Sequence, residues 1–143
     1  MPSAIGTTTI ARPPDEVFAF VADGTTAPRW RPGVLDIALV SGSGVGARYR
    51  QGVKGPGGRR VAADYEITGW EPGHRLAFAA TAGPVRPRGE YVLEAVPEGT
   101  KITFSLTAEL GGIKALLMGR AVQSSMDAEV GALAGLKRVL EAG

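Results

Sequence analysis

The chain has 143 residues, 44% of them hydrophobic and 21% charged, with a formal net charge of +2, the profile of a single soluble domain over residues 1–143 with room for a sizeable core. That charge is too small to imply a nucleic-acid partner, and Arg29/Arg31, Arg59/Arg60 and Arg86/Arg88 are scattered pairs, read as solvated strand ends and turns and not as a basic stripe. The absence of cysteine excludes disulfides, thiolate nucleophiles and cysteine metal sites, no apolar run approaches the ~20 residues of a membrane span, and the N-terminus lacks the pattern of a signal peptide, so a cytoplasmic protein is expected.

Residues Ala4 to Arg12 are rich in β-branched side chains and read as a first strand, stopped by Pro13-Pro14. Pro14 suits the first turn of a helix, with Asp15 and Glu16 at the positive end of its dipole and Asp23-Gly24 ending it. A second short helix or turn spans Thr25 to Trp30 and closes at Pro32-Gly33. Strands then follow in meander order: Val34–Val40, Ala47–Val53, Arg60–Thr68, Arg75–Ala82, Gly89–Val96 and Lys101–Leu110. Their period-two alternation places Leu35, Ile37 and Leu39 on one face, then Tyr49 and Gln51, then Tyr65 and Ile67, then Leu76, Phe78 and Ala80, then Tyr91 and Leu93, and finally Ile102, Phe104 and Leu106.

After Gly111-Gly112 the period becomes helical and holds through Leu133, Leu136 and Leu140, which predicts one helix from about Ile113 to Glu141. A long sheet with one apolar face needs a cover, and a single terminal helix seals only its middle. The first half of this helix is irregular, mixing Leu116, Leu117 and Met118 with Gly119, Arg120 and Gln123. A hollow is therefore expected beneath that looser half, and hollows of this kind hold small apolar molecules.

The run Ile10-Ala11-Arg12-Pro13-Pro14-Asp15-Glu16-Val17-Phe18, followed by Asp23, Trp30 and Pro32-Gly33-Val34, resembles the opening of the polyketide cyclase/dehydrase family. Gly46-Ala47-Arg48-Tyr49, Glu71-Pro72-Gly73-His74-Arg75-Leu76, Gly99-Thr100-Lys101-Ile102-Thr103 and the closing Leu136-Lys137-Arg138-Val139-Leu140-Glu141 are similar to that family's pattern as well. The family belongs to the START-like (SRPBCC, helix-grip) superfamily. The resemblance implies an α+β fold: a seven-stranded antiparallel sheet wrapped around a long C-terminal helix, with two short helices between strands 1 and 2. It implies a cavity for a small hydrophobic or aromatic molecule, in a monomer or a homodimer. It does not imply a reaction, since such folds serve polyketide cyclases, lipid carriers and coenzyme Q-binding modules alike.

The residues leave few routes to chemistry. His74 is the only histidine and sits at a predicted hairpin tip, so a catalytic triad and a zinc site are both disfavoured, and no metal or cofactor is expected. Tyr49, Tyr65 and Tyr91 share the inward face with Gln51, Phe78 and Phe104, and each phenol joins an apolar ring to a hydroxyl that needs a partner when buried. These tyrosines are either cavity lining or core residues bonded to backbone. Trp30 is a gate or a hydrophobic plug, and Met118 and Val122 complete the expected lining. If the chain is an enzyme, Tyr49, Tyr65 and Tyr91, with Arg88, are the candidate groups to polarise a ketone. An inward arginine beside an inward acid would favour an enzyme; hydroxyls alone would favour a carrier.

Overall fold

The computed structural model describes residues 2–83, 85–110 and 112–142, with the side chains of 56 and 112–118 outside what it describes. Strand β1 (Ser3–Ile10) runs into helix α1 (Pro14–Ala22) and a 3-10 helix (Gly24–Arg29). Seven further strands follow: β2 (Val34–Ser41), β3 (Arg48–Lys54), β4 (Arg60–Ala62), β5 (Tyr65–Glu71), β6 (Arg75–Ala80), β7 (Arg88–Val96) and β8 (Gly99–Thr107). Helices α2 (Gly112–Gly131) and α3 (Leu133–Ala142) close the chain. All strand pairs are antiparallel, in the order β1-β8-β7-β6-β5-β3-β2, with β4 a short flank on β3. This is the expected α+β helix-grip arrangement, with the two short helices between the first two strands.

The local chemistry explains the boundaries. Pro13 caps α1 and Pro14 occupies its first turn, where a missing N–H costs nothing. Asp23 ends α1 and starts the 3-10 helix, its carboxylate accepting from Thr25 N at 3.1 Å and from Thr25 Oγ1 at 2.6 Å. Val17, Phe18, Val21 and Ala22 are the buried face of α1.

Two expectations are corrected. The single strand anticipated over Arg60–Thr68 is divided, so the sheet has seven strands on its main path and β4 as an eighth. At the division Asp64 Oδ1 takes the N–H of Gln51 at 3.1 Å in place of a backbone carbonyl, and Asp64 O accepts from Thr81 N at 2.7 Å. The ladder therefore bends, with β4 pairing the far half of β3 and β5 pairing Arg48 and Tyr49. The C-terminal helix is likewise interrupted at Ala132, between Gly131 and Leu133. Glycine is a poor helix former, and its own position carries no side chain that would hold α2 and α3 in line.

Helix α3 seals the core as its periodicity predicts, with Leu133 at 3%, Leu136 at 0% and Leu140 at 8% exposure. Val122, Met126 and Val130 form the buried stripe of α2. Both helices pack on β1, and α2 reaches β8. Gly6 permits that approach, because a Cβ there would collide with Val130 Cγ1. The opposite edge, β2, is less covered: Leu39, across from the buried Tyr49, stays 50% exposed.

Candidate functional site

Five aromatic rings cross the concave face, one from each of β3, β5, β6, β7 and β8. Tyr49 and Tyr65 are register partners and stack at 5.0 Å between centroids. Tyr91 and Phe104 are also partners and stack at 4.2 Å. Phe78 joins the two pairs, 5.6 Å from Tyr65, 6.2 Å from Tyr91 and 6.2 Å from Phe104. Strand alternation puts the rings on one face, and antiparallel register brings them within contact range. Two glycines make the ladder fit. A Cβ on Gly89 would lie 2.6 Å from Phe78 Cζ, and one on Gly24 would lie 2.5 Å from the Tyr65 hydroxyl.

A polar cluster adjoins the ladder. Arg31 Nε donates to Glu129 Oε2 at 2.8 Å, and its Nη1 donates to Gln51 Oε1 at 3.0 Å. Gln51, itself 4% exposed, passes the chain on by donating Nε2 to Ala63 O at 3.1 Å. The Arg31 side chain is 14% exposed. Burial opposes its charge, but the Glu129 carboxylate more than offsets this and holds the guanidinium above its ordinary range. Burial also raises the pKa of Tyr65 and Tyr91 against a lowering pull from Arg31, so both phenols stay protonated. Tyr49 is satisfied by backbone, accepting from Gly24 N at 3.3 Å and donating to Ala22 O at 3.5 Å. Among the buried side-chain polar atoms of the described residues, Trp30 Nε1 has no hydrogen-bond partner. Trp30, 5% exposed, meets Tyr91 edge-on at 6.4 Å.

A family model described as "Polyketide cyclase / dehydrase and lipid transport" matches residues 1–141. The chain belongs to that family. An uncharacterized protein of Mycobacterium tuberculosis is 29% identical over 110 residues, covering 74% of this chain and 65% of the relative's own length. Among solved structures, TTHA0849 of Thermus thermophilus superposes with a TM-score of 0.83 at 25% identity, covering 99% of this chain and 98% of that one. The di-domain ARO/CYC BexL, from the BE-7585A biosynthetic pathway, superposes with a TM-score of 0.78 at 20% identity, covering 99% of this chain and 50% of that one. The last likeness is one of fold.

Within this family member, Tyr49, Gln51, Tyr65, Phe78, Tyr91 and Phe104 are brought together as one surface. Val122 is buried at 7% exposure, on α2. Met118 has its side chain outside the described residues. Trp30 is not at a rim: it lies in the core, its carbonyl so close to α3 that a Cβ on Gly135 would sit 2.7 Å from it. Arg88 is not joined to the tyrosines. It lies three residues from Tyr91 on the other face of β7, exposed, opposite Ala79 and Thr107. There it lines a cleft of about 600 Å³ with Arg86, Thr107 and Glu109. A second cleft, about 330 Å³, lies between β1 and the α2–α3 junction. Neither cleft is lined by the aromatic ladder. His74 is exposed at its hairpin tip, and the described residues hold no group of three or more His, Cys, Asp or Glu placed to share a metal. No helix among them is long and apolar enough to cross a membrane.

Arg31 and Glu129 are the residues that sequence reasoning missed. The sequence reading makes Arg31 solvated; it is instead largely buried in an ion pair with the partly exposed Glu129. It sits in a turn, where no periodicity reports orientation. Glu129 carries a readable signal, since it falls three residues after Met126 and four before Leu133, on the flank of the apolar stripe.

Proposed function

We propose that the chain binds a small apolar ring compound against the aromatic ladder, between the sheet and the C-terminal helix. The continuous row of five rings on one face carries this reading. Such a surface offers stacking to a flat ligand at little entropic cost, because aromatic side chains have few torsions to freeze. Family membership supports it, as the family description names cyclase, dehydrase and lipid-transport functions.

A second reading, that the bound compound is cyclised or dehydrated there, is favoured by the polar cluster. A largely buried arginine beside a partly exposed acid, next to two phenols kept protonated, is a means of polarising a carbonyl by hydrogen bonding. A reactive chain held in one conformer needs little more, since positioning alone removes much of an intramolecular barrier. Arg31 replaces Arg88 as the arginine of this reading.

Titration with the uncharged dye N-phenyl-1-naphthylamine tests the first reading. Saturable fluorescence enhancement is expected, weakened by Ala80→Phe, which places a ring opposite Tyr65, and by Tyr65→Leu. Enhancement that is unsaturable, or indifferent to both changes, overturns it. Binding of a ketone ligand without product formation would select the carrier over the enzyme.

A further inference from the structure

The sheet ends in two edge strands, β1 and β2, and the chain treats them differently. Ala108 N donates to Pro2 O, so the even residues of β1 bond β8 and the odd ones turn their backbone groups outward. Side chains of the terminal helices meet those groups at both ends of the strand. Gln123 bonds Ser3 N and Ser3 O, Lys137 Nζ donates to Thr9 O at 2.6 Å, and just beyond the strand Glu141 Oε2 accepts from Ala11 N at 2.8 Å. Strand β2 has no such guard, and it packs chiefly on β3 and the 3-10 helix. Gln51 N donates to Asp64 Oδ1 and Gln51 O accepts from Ala63 N, so its neighbours Arg50 and Gly52 face β2. Ala38 and Asp36 therefore bond β3, while Ile37 and Leu39 turn N–H and C=O outward, where no partner meets them among the described residues. Leu35, Leu39 and Val40 lie exposed along the same strand. An apolar strand edge left open in this way is a template for another strand.

An incoming strand must match this edge in charge as well as in hydrogen bonds, and β2 matches itself. Antiparallel pairing about a two-fold axis at Ile37 lets the two Ile37 residues exchange both backbone bonds and sets Leu39 beside the partner's Leu35. Asp36 then lies opposite the partner's Ala38, so no like charges stand directly opposed. Arg50, across from Ala38 on β3, is exposed and has no ion pair among the described residues. In this register it stands two strands from the partner's Asp36, with only an alanine methyl between. The chain already makes such a bridge within itself. Arg60 of β4 crosses Gly52 of β3, where a Cβ would strike its Nε, and reaches Asp36 of β2 with two bonds of 2.8 Å.

We propose that β2 is an interface between two copies of this chain, which pair antiparallel about Ile37 into one continuous sheet, with Arg50 of each copy bridging to the partner's Asp36. This is independent of the ring-binding reading. Bulges between Val34 and Asp36 and between Leu39 and Ser41 confine regular pairing to the middle of the strand. The interface is therefore smaller than a standard one, and the dimer is expected to be weak, with a dissociation constant on the order of 10–100 µM.

Sedimentation equilibrium of the full chain over a concentration series tests this, and a reversible monomer–dimer equilibrium is expected. Leu39→Lys puts a charge on the pairing edge and should weaken the dimer roughly tenfold or more. Arg50→Glu sets like charge against the partner's Asp36 and should weaken it roughly three- to tenfold. Added salt should weaken the wild-type dimer more than that of Arg50→Ala. Val45→Lys, at an exposed apolar residue outside the strand, should leave the equilibrium unchanged. A chain that stays monomeric at millimolar concentration overturns the proposal, and so does a dimer that survives Leu39→Lys. Equal loss in Val45→Lys would mean unspecific apolar association and overturns strand pairing. A dimer indifferent to Arg50→Glu overturns the register about Ile37. If Leu39→Lys does not fold, amide exchange of the wild-type chain decides: the Ile37 and Leu39 amides should gain protection as concentration rises, and amides that exchange equally fast at every concentration overturn the interface.

Discussion

Where α3 packs on β1, the interior is hydrocarbon: Ile10, Val17, Ile102 and Leu136 are all at 0% exposure, and the lone polar group among them, Thr100, donates its hydroxyl to Arg12 O at 2.7 Å. Over β3, β5 and β6 the same concave face carries Tyr49, Gln51, Tyr65 and Phe78, with Tyr65 and Phe78 only partly buried. The first region satisfies every polar group it buries and interdigitates branched side chains, so its free energy goes into holding the sheet on the helix. The second stacks rings where a solid core would use branched aliphatics, and beside it, among the described residues, the buried Trp30 indole N–H has no acceptor. A core selected for stability alone would not be built that way. The difference separates the part of the molecule that makes the fold from the part proposed to meet a ligand.

The largest test of this contrast is Leu136→Ala. Leu136 is fully buried at the centre of the α3 seal, and its truncation is expected to cost about 2–5 kcal/mol in urea unfolding, from lost burial plus the cavity left behind. Tyr65→Leu, on the other side, should cost about 1 kcal/mol, roughly the worth of its ring contacts. Equal costs would erase the distinction between the two regions.

The next effect is smaller and tests the polar cluster. Glu129→Ala strands the Arg31 guanidinium, and because the Glu129 side chain is 27% exposed the cost should fall below the fully buried case, at about 1–3 kcal/mol. The double change Arg31→Met with Glu129→Leu should recover most of that loss, since no charge is then left buried. A double variant no more stable than Glu129→Ala alone would mean that the pair is not held away from water, and the second region would read as ordinary solvated surface.

Legibility in the sequence follows the same division. The hydrocarbon region announces itself because Ile102, Phe104 and Leu106 alternate cleanly and Leu133, Leu136 and Leu140 keep helical spacing, and both patterns are written by burial. The aromatic ladder was legible for the same reason: alternation on five strands put the rings on one face, and antiparallel register did the rest. What alternation cannot report is a residue in a turn. Arg31 follows the 3-10 helix, and its direction is set by a carboxylate 98 residues further on, which no local period encodes. The break at Ala132 escaped for a similar reason, because Gly131 sits inside an otherwise sustained apolar stripe whose spacing survives the interruption. Arg88 shows the converse. Its residue type suited the chemistry, but its place in β7 turns it to the other face from Tyr91.

The smallest effect is a change of slope with pH, and it discriminates between the regions because only the second holds buried ionisable phenols. Tyr65 and Tyr91 have folded-state pKa values raised chiefly by burial, against an unfolded value of about 10. Below that value both states are protonated and the phenols contribute no pH dependence. Above it the unfolded chain gives up protons that the folded chain retains, so the folded state binds more protons and stability must fall as pH rises. Melting temperatures followed from about pH 8 to pH 11 should decline more steeply for the wild-type chain than for the Tyr65→Phe, Tyr91→Phe double variant, while tyrosinate absorbance of the native wild type lags behind that of the unfolded chain. The lysines common to both chains lose their protons equally and cancel in the comparison. Identical slopes, or native tyrosinate appearing as readily as in the unfolded chain, would place the phenols in water and remove the buried donors that the proposed ligand site invokes.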